Sequence, residues 1–509
     1  MHPPASSATR PLLRSRQPRS RDTVSVLRER HGPNYRWRVL VTVMIGTVAS
    51  IMSATIVNVA LPDMSRVFTL GQDRAQWMSA GFMAAMTISM LATPWLLERF
   101  GYRSTYIGVI ALLMGGGIGG GFGWSFEWVL AMRVAEGLAA GVLQPIPAII
   151  IMNAFDRTEQ GRAMSVFGMG VVLAPAVGPG IGGVLVEWFG WRSIFFIMVP
   201  FGLAALWMAR RYLPQSAPGG ADMRSDRRFD LAGLALLTVA ILSLLNGMVH
   251  LRGGAQGLAA GLLALAALTL AGFVRHERRT PHPLMNLGLF GHAQFGFGAI
   301  VAFMYGAALF GSTYLVPVFM QIALGLPPSQ AGGVLLPAGI VLWFTIAIAG
   351  RLTNRFPLHQ LVASGLALLA ASFVLMIGVG TGTSLWVIAL WAAVGRVGLG
   401  FVLPSLNLGA MRGLATPLIP QASSGINFMR QLGGAIGISL AGIFLEWRLH
   451  AHGASLAATA GNAAAHTPSA VAAFHETFAL LAALTALAIA AAWRMRQRAD
   501  AAPATHAAR

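Results

Sequence analysis

The chain lacks cysteine and lysine entirely and carries few charges of either sign. Cys is 0 among 509 residues, every one of the 36 Lys+Arg residues is Arg, and charged residues make up only 10%. Without lysine there is no Walker-A phosphate-binding lysine and no Schiff base. Without cysteine there is no thiolate nucleophile, disulfide or cysteine metal ligand. Since soluble domains carry about 25% charged residues, this chain cannot cover an ordinary water-facing surface.

Apolar residues dominate the chain instead, at 56% of the sequence. A bilayer-spanning helix needs about 20 consecutive apolar residues, and fourteen such stretches occur, so we predict an all-α polytopic membrane protein. They are 39–61, 76–97, 104–123, 127–153, 163–186, 192–212, 231–250, 257–274, 293–316, 331–350, 360–379, 385–409, 425–446 and 475–493. The pair 231–250 and 257–274 is short, so counts of twelve or thirteen stay open.

The arginines predict the orientation, because short cytoplasmic loops carry the excess of positive residues. With the N-terminus inside and the helices alternating, 28 Arg residues fall in cytoplasmic segments, five fall outside and three lie within spans. An even number of helices with both termini in the cytoplasm fits best. The net charge of +19 is then mainly topological. We therefore expect the basic segment Arg10–Arg30 to be a disordered tail on anionic lipid, and no nucleic-acid partner.

The loops divide the predicted helices into two blocks of six with an insert. We predict a tail at 1–37, a six-helix bundle at 38–212, a linker with two additional helices at 213–292, a second six-helix bundle at 293–493 and a cytoplasmic tail at 494–509. A faint repeat supports this division, since Leu97-Glu98-Arg99-Phe100 is echoed by Thr353-Asn354-Arg355-Phe356. Parallel repeats of this kind are typical of transporters with a site between the halves. The outside loop 451–473 is low in complexity, and we expect little fixed structure there.

Two ionisable residues lie inside the fourth predicted span. Arg133, Glu136 and Gln144 fall on one helix face, and charges at membrane depth indicate function by default. Glu136 is a candidate proton carrier with Arg133 as its neighbour. The alternative is a permanent ion pair that only ties helices together.

Other polar residues are candidates for a substrate cavity. Ser53 and Thr55 in the first span can bond back to helix carbonyls, whereas Asn58 is harder to hide. Arg396, in the second block, should face the bundle interior. Arg430 lies near the predicted inner end of its span, where snorkelling of its long side chain would explain it.

Glycine-rich stretches inside spans indicate close helix packing. Gly178-Pro179-Gly180-x-Gly182-Gly183 is either a packing surface or a pliable one on which the halves rock. The G-x-G-x-x-G match within Gly115–Gly123 has no strand beside it, so packing is favoured over dinucleotide binding. The histidines lack metal-site spacing, and we expect no metal, no cofactor and no enzymatic activity.

The ordered motifs resemble the major facilitator superfamily, specifically its fourteen-helix drug:proton antiporter branch (EmrB/QacA type). The resemblance runs from about Arg38 to Trp493. The matching runs are Ser53 to Pro62 in the first helix, Leu97-Glu98-Arg99-Phe100-Gly101-Tyr102-Arg103 in the loop after the second, Arg133-x-x-Glu136-Gly137 in the fourth, Ala174 to Gly183 in the fifth, Trp191 to Pro200 entering the sixth and Phe428 to Gly434 in the second half. The resemblance implies that Glu98, Arg99, Gly101 and Arg103 form a gating loop. It also implies that Pro175, Gly178, Pro179, Gly182 and Gly183 form an antiporter motif.

The chain departs from the family pattern at its titratable positions. The family usually has Asp where Ser53 stands and Gln where Glu136 stands; Pro94 and Glu98 replace the usual Gly and Asp of the gating loop. One interpretation is that the proton-carrying carboxylate has moved from helix one to helix four. The other is that coupling to protons is lost or altered.

The leading hypothesis is therefore a proton-coupled exporter of hydrophobic or amphipathic small molecules in the bacterial inner membrane, working by alternating access. Its partners would be a small-molecule substrate, protons, membrane lipid and possibly a periplasmic adaptor protein. The alternative is a facilitator or importer of a small metabolite. An intramembrane enzyme or a receptor is disfavoured, because no nucleophile–base pair or large soluble domain is apparent.

Overall fold

The computed structural model describes residues 24–70, 72–220, 223, 228–252, 256–453 and 468–496. Helices make up all the regular structure of these residues. The N-terminal run to residue 23, the tail beyond residue 496 and most of the loop 451–473 lie outside them, so the predictions for those segments stay predictions.

Thirteen helical segments of the described chain are long and apolar enough to cross a membrane. One of them, Trp77–Gly121, has 45 residues, roughly twice the length that a bilayer requires. Gly101 interrupts it with φ +74° and ψ 174°, a conformation outside any helix. The segment is therefore two helices joined by a tight turn, and the predicted count of fourteen and the all-α fold class are confirmed.

The fourteen helices follow one another with short connections. They are α1 Tyr35–Val67, α2 72–100, α3 102–121, α4 Phe126–Ala154, α5 Arg157–Phe189, α6 Ser193–Tyr212, α7 Leu231–Arg252, α8 Gln256–Glu277, α9 Ala293–Ala323, α10 Pro328–Leu352, α11 Leu358–Ile377, α12 Leu385–Met411, α13 Ile419–Ala451 and α14 Pro468–Arg494. The short helix Val24–His31 precedes α1. Helices α7 and α8 pack against each other, and His276 Nε2 of α8 lies 2.8 Å from Asp230 Oδ1 at the start of α7.

The helix ends on one side of the molecule are tied together by polar contacts. Arg36, at the start of α1, donates to Asp156 and Glu159 at the start of α5, over 3.0 and 2.8 Å. Tyr35 donates to the carbonyl of Tyr212 at the end of α6, over 2.9 Å. We call this side the arginine-rich face. Its arginines include Arg36, Arg99, Arg103, Arg157, Arg162, Arg210, Arg211, Arg351, Arg355, Arg412, Arg494 and Arg496.

The first and last six helices touch each other near the arginine-rich face. Ser165 of α5 donates to the carbonyl of Ile346 on α10 over 2.6 Å. A Cβ at Gly161 would lie 2.5 Å from the carbonyl oxygen of Gly350. On the other side of this seal, Ser423 of α13 donates to the carbonyl of Pro145 in α4 over 2.9 Å.

Toward the opposite face the same two helices diverge. Gly183 lies 18 residues, or about five helical turns, beyond Ser165 and so on the same side of α5. On α10, Gly332 lies 18 residues before Gly350 and Gly339 lies seven residues before Ile346. Both glycines are therefore on the side of α10 that faces α5. A Cβ at any of these three glycines would have no neighbour within 4 Å. The contact between α5 and α10 is therefore closed near the arginine-rich face and open toward the opposite face, and we call the space between the diverging helices the vestibule.

The seal at Gly161 generates a first prediction. The substitution Gly161→Val places a side chain where the hydroxyl of Thr353 and the carbonyl of Gly350 already lie, so it should wedge the seal open and favour closure of the opposite side. Because the chain has no cysteine, a single Gly183→Cys reports on the vestibule. We expect its labelling by a hydrophilic maleimide, in nanodiscs, to fall by about tenfold in the Gly161→Val background.

The control for this measurement is Thr381→Cys, which is exposed in the connection between α11 and α12 at the opposite face, away from the α5–α10 contact. Its labelling should be the same in both backgrounds. Equal labelling of Gly183→Cys with and without the wedge would contradict the assignment of the seal.

Candidate functional site

Three side chains from two helices form a buried polar cluster in the first bundle, which we call the charge triad: Ser53, Arg133 and Glu136. Arg133 Nη1 lies 2.5 Å from Glu136 Oε2 and 2.8 Å from Ser53 Oγ. The Ser53 hydroxyl in turn donates to Glu136 Oε2 over 2.9 Å. Arg133 and Glu136 are both 1% exposed, and Ser53 is 2% exposed. The triad therefore joins α1 to α4 in a place that water does not reach in this conformation.

The helical positions place the triad near the middle of the membrane. Glu136 lies ten residues into α4, about 15 Å along its axis. The guanidinium of Arg133 stacks on Phe82 of α2, 4.3 Å from the ring centroid. Arg133 Nε also points to the carbonyl oxygen of Met78 at 3.4 Å. Aromatic stacking and the carbonyl contact stabilise a cation that bulk water does not solvate.

Glycines of α3 make room for the carboxylate. A Cβ at Gly117 would lie 3.3 Å from Glu136 Oε1, and a Cβ at Gly116 would lie 2.7 Å from Glu136 Cγ. The glycine-rich run 115–123 thus packs α3 tightly on α4, which agrees with a packing interpretation of its G-x-G-x-x-G match. Within the part of the chain that the structure describes, Glu136 Oε1 and Arg133 Nη2 are buried without a hydrogen-bond partner. The triad therefore has unused capacity for a proton or for a polar ligand.

The other candidates on α1 and α4 have different surroundings. Asn58 is exposed and accepts a hydrogen bond from Ser79 of α2 over 2.7 Å. Thr55 bonds back to the carbonyls of Ile51 and Met52. Gln144 is 7% exposed and lies eight residues beyond Glu136, toward the arginine-rich face. Of the three candidates on α1, Asn58 is thus the one with an exposed side chain, whereas Ser53 belongs to the triad.

The predicted antiporter motif presents two faces of α5. Gly178 and Gly182 pack on α1, where a Cβ at Gly178 would lie 2.9 Å from Thr55 Oγ1 and one at Gly182 2.5 Å from Ile56 Cγ1. Pro179 lies 18 residues beyond Gly161 and Pro175 seven residues beyond Gly168, so both share the face that seals against α10. Gly183 lies on that face as well. The motif thus joins the fifth helix to α1 on one side and lines the vestibule on the other.

The predicted gating loop lies at the arginine-rich face, in the turn between α2 and α3. Arg103 Nε donates to the carbonyl of Leu213 over 2.7 Å. A Cβ at Gly101 would lie 2.6 Å from the carbonyl oxygen of Gln215, so only glycine fits there. The Arg99 guanidinium stacks on Trp95 and Phe100. Glu98 lies in the last turn of α2. The loop therefore holds the segment that follows α6.

Two further arginines lie at membrane depth in the second bundle. Arg396 lies eleven residues into α12 and Arg430 eleven residues into α13, each about 16 Å along its helix. Arg430 Nη2 donates to Asn427 Oδ1 over 2.9 Å. Helix α13 begins at Ile419 rather than near residue 425, so Arg430 lies further from the helix start than the hydropathy pattern indicates. Snorkelling of Arg430 stays a prediction, as does the role of Arg396 in the substrate cavity.

No group of three or more potential metal ligands is present among the described residues. The polar groups at membrane depth are instead suited to protons and organic ions, because they combine single ionisable side chains with hydroxyls and amides.

The sequence profile of the Major Facilitator Superfamily matches residues 43–438, most of the chain. The chain belongs to the Major Facilitator Superfamily. It is thus a multi-pass membrane transporter, as the resemblance of its motifs predicted. The Bacillus subtilis multidrug transporter protein MdtP is 26% identical over 427 residues, which cover 82% of this chain and 77% of that protein.

Two other relatives in the superfamily are named for resistance. The multidrug resistance protein B homolog of Mycobacterium tuberculosis H37Rv is 28% identical over 429 residues, covering 81% of this chain and 77% of the relative. The tetracenomycin C resistance and export protein of Streptomyces glaucescens is 26% identical over 415 residues, covering 81% and 76%.

Solved superfamily structures share the fold. The crystal structure of the human organic anion transporter MFSD10 superimposes with a TM-score of 0.64 at 16% identity, covering 91% of this chain and all of that one. The proton:xylose symporter XylE superimposes with a TM-score of 0.62 at 12% identity, covering 90% and 95%. At such identities the likeness establishes the architecture alone.

The burial of the charge triad generates a second prediction. Removing one member of a buried ion pair leaves an uncompensated charge and costs about 3–5 kcal/mol, whereas removing both members costs less. We expect Arg133→Met and Glu136→Leu each to lower the midpoint of thermal unfolding strongly, and the double variant to be more stable than either single variant. Fluorescence-detected size-exclusion chromatography after heating measures this. Additive losses would contradict a coupled pair.

Proposed function

We propose that this transporter is a proton-driven exporter that exchanges protons for hydrophobic or amphipathic small molecules by alternating access. The observation that carries the proposal is the charge triad, in which Glu136 is the carboxylate that α4 places at mid-membrane depth. Ion-gradient coupling needs a group that gains and loses a proton within the membrane. The names of the relatives, with multidrug resistance and export among them, support efflux of small organic molecules.

The contact between Ser53 and Glu136 supports a relocated proton site. In the resembled branch a carboxylate stands at position 53 and an amide at position 136, whereas this chain has a hydroxyl and a carboxylate. Ser53 Oγ and Glu136 Oε2 lie 2.9 Å apart, and both contact Arg133 Nη1. A carboxylate on either helix would therefore pair with the same guanidinium. The exchange keeps one negative charge beside Arg133 while moving it from α1 to α4.

Protonation of Glu136 would change the balance of charge in the triad. With Glu136 ionised, the pair is neutral and ties α4 to α1 through Ser53. With Glu136 protonated, Arg133 retains its charge among apolar neighbours, which is unfavourable in a medium of low dielectric constant. We propose that this cost drives the rearrangement that exposes the triad to the other side of the membrane. The moving units would be the bundles 38–212 and 293–493, with 213–292 as an insert between them.

The outer approach to the triad is polar. Ser79, which hydrogen-bonds the exposed Asn58, directly follows Met78, whose carbonyl contacts Arg133. The partly exposed pair Asn58–Ser79 is thus adjacent along α2 to the backbone carbonyl that contacts Arg133. We propose the bacterial inner membrane as the location, with the arginine-rich face and both termini in the cytoplasm, because positive residues favour that side. The structure then faces outward.

A third prediction tests proton coupling. In everted vesicles that carry a pH-sensitive dye in their lumen, a panel of fluorescent dyes including fluorescein, rhodamine 123 and ethidium should cause proton movement with wild type. Glu136→Gln should abolish it, since the remaining amide cannot carry a proton. Ser53→Asp combined with Glu136→Gln should restore at least about a tenth of it, because the carboxylate returns to Arg133 from the other helix.

The matched control is Ser53→Asp alone, which places two carboxylates beside one guanidinium and should impair transport. Full coupling in Glu136→Gln would overturn the assignment of the proton carrier. Transport that persists at its full rate in the presence of an uncoupler would favour a facilitator instead.

A further inference from the structure

The second bundle holds more positive charge at membrane depth than it can neutralise. Its acidic residues, within 293–493, are Glu446 and Glu476. Glu476 binds Arg448 near the opposite face. Glu446 lies sixteen residues beyond Arg430 on α13, about 24 Å along the helix. In the described part of the chain, neither Arg396 nor Arg430 has an ion pair, although Asn427 accepts from Arg430.

The triad in the first bundle offers no compensation. Glu136 is paired with Arg133 and is 1% exposed. By contrast, Arg396 and Arg430 are partly exposed. Two guanidinium groups without a carboxylate are unfavourable at membrane depth unless water or an anion reaches them.

Helix geometry places both arginines at the floor of the vestibule. Arg430 lies seven residues, or two turns, beyond Ser423, whose hydroxyl contacts Pro145 of the first bundle. Arg396 lies seven residues before Leu403, whose Cδ2 lies 4.0 Å from the position of a Cβ at Gly168 of α5. Residues seven apart share a helix face. Each arginine is thus on the face that touches the other bundle, about 10 Å from that contact on its open side.

Tyr305 of α9 lies close to the helix turns that carry the two arginines. Its hydroxyl donates to the carbonyl oxygen of Leu399, about one turn beyond Arg396 on α12, over 3.4 Å. The adjacent Gly306 packs directly on the backbone carbonyl of Arg430. Arg396 also borders a crevice of about 20 Å³ beside Ser312 and Ser372. That volume is near the size of one water molecule. This crevice is therefore too small to hold an organic ion.

An apolar surface lies close to Arg396 and could contact the apolar part of a ligand. Gly400, one turn beyond Arg396, packs on Thr345 of α10. Trp343 lies seven residues before Gly350 and so on the sealing face of α10, at a depth similar to that of Arg396. Its side chain is 37% exposed. The floor of the vestibule thus combines two cations with an exposed aromatic surface.

We infer that the transported molecules are amphipathic organic anions, whose carboxylate, sulfonate or phenolate binds Arg396 and Arg430 while the apolar body packs near Trp343. This inference rests on the proposed export function and specifies its substrate class. Guanidinium groups suit such anions because they donate several charge-assisted hydrogen bonds in one plane.

The fourth prediction compares two xanthene dyes of opposite charge. Fluorescein is an anion at pH 8 and rhodamine 123 is a cation with the same ring system. With the purified full-length protein in nanodiscs, fluorescence anisotropy should show that fluorescein binds about tenfold or more tightly than rhodamine 123. Arg396→Gln and Arg430→Gln should each weaken the binding of fluorescein about fivefold or more. The affinity for rhodamine 123 should stay unchanged or increase.

Two kinds of control keep the result interpretable. Arg448→Gln removes an arginine that is paired at the opposite end of the bundle, and it should leave both dyes unaffected. Arg396→Lys and Arg430→Lys keep the charge and should retain the preference for fluorescein. The wild-type preference can be measured even if the glutamine variants do not fold.

The inference would be overturned if the wild type bound the two dyes with equal affinity. It would also be overturned if the glutamine variants lost affinity for both dyes equally. This failure differs from failure of the export function. Export of rhodamine 123 with proton movement, without fluorescein binding, would refute only the anion site. Arginine-dependent fluorescein binding without proton movement in vesicles would refute only the proton coupling.

Discussion

The cost of charge in the middle of a bilayer constrains this molecule more than any other interaction. The hydrocarbon core offers no water, so an ionised group needs a partner, a carbonyl or a water-filled cavity. In the first bundle the partner is internal, since Arg133 and Glu136 neutralise each other and Ser53 joins them. In the second bundle Arg396 and Arg430 instead lie beside the vestibule. The same constraint thus has two different solutions within one pseudo-symmetric architecture.

The position of the triad also explains why close helix packing surrounds it. Glu136 fits only because Gly116 and Gly117 on α3 lack side chains. Gly178 and Gly182 bring α5 against α1, close to the helix turn that carries Ser53. A shift of α5 relative to α1 would therefore displace Ser53 and change its hydrogen bond to Glu136. A rearrangement of the contact between α1 and α5 would therefore also alter the charge triad, because these helices are closely packed.

The sequence predicts those features that depend on local pattern. Fourteen apolar stretches at bilayer length and the alternation of arginines specify the helices, and the spacing of Arg133 and Glu136 places both on one helix face. The meeting of Ser53 with Glu136 spans 83 residues of sequence, and hydrophobic periodicity carries no information on such long-range pairs. The hydropathy pattern places the start of α13 near residue 425, whereas the helix begins at Ile419 and has Pro420 in its first turn. Pro is well tolerated in the first turn of a helix, although it resembles a boundary.

The open side of the vestibule follows from no sequence pattern, because both states of an alternating transporter contain the same helices. It depends on which turns of α5 and α10 are in contact. Glycines stand at both ends of the α5–α10 contact, with Gly161 and Gly350 near one face and Gly183 and Gly332 near the other. The glycine pattern therefore does not distinguish the closed end from the open one, and only the contacts between the two helices decide it.

The charge of the substrate bears on the energy source. An inside-negative membrane potential repels anions outward, and moving one elementary charge across 100 mV is worth about 2.3 kcal/mol. Exchanging one outward monoanion for one inward proton moves two charges in the favourable direction, or about 4.6 kcal/mol at that potential. A cationic substrate exchanged for one proton moves no net charge and gains nothing from the potential. Arg396 and Arg430, which have no ion pair among the described residues, and the mid-membrane carboxylate of Glu136 would thus suit one electrogenic exchange, in which the membrane potential favours the movement of both ions.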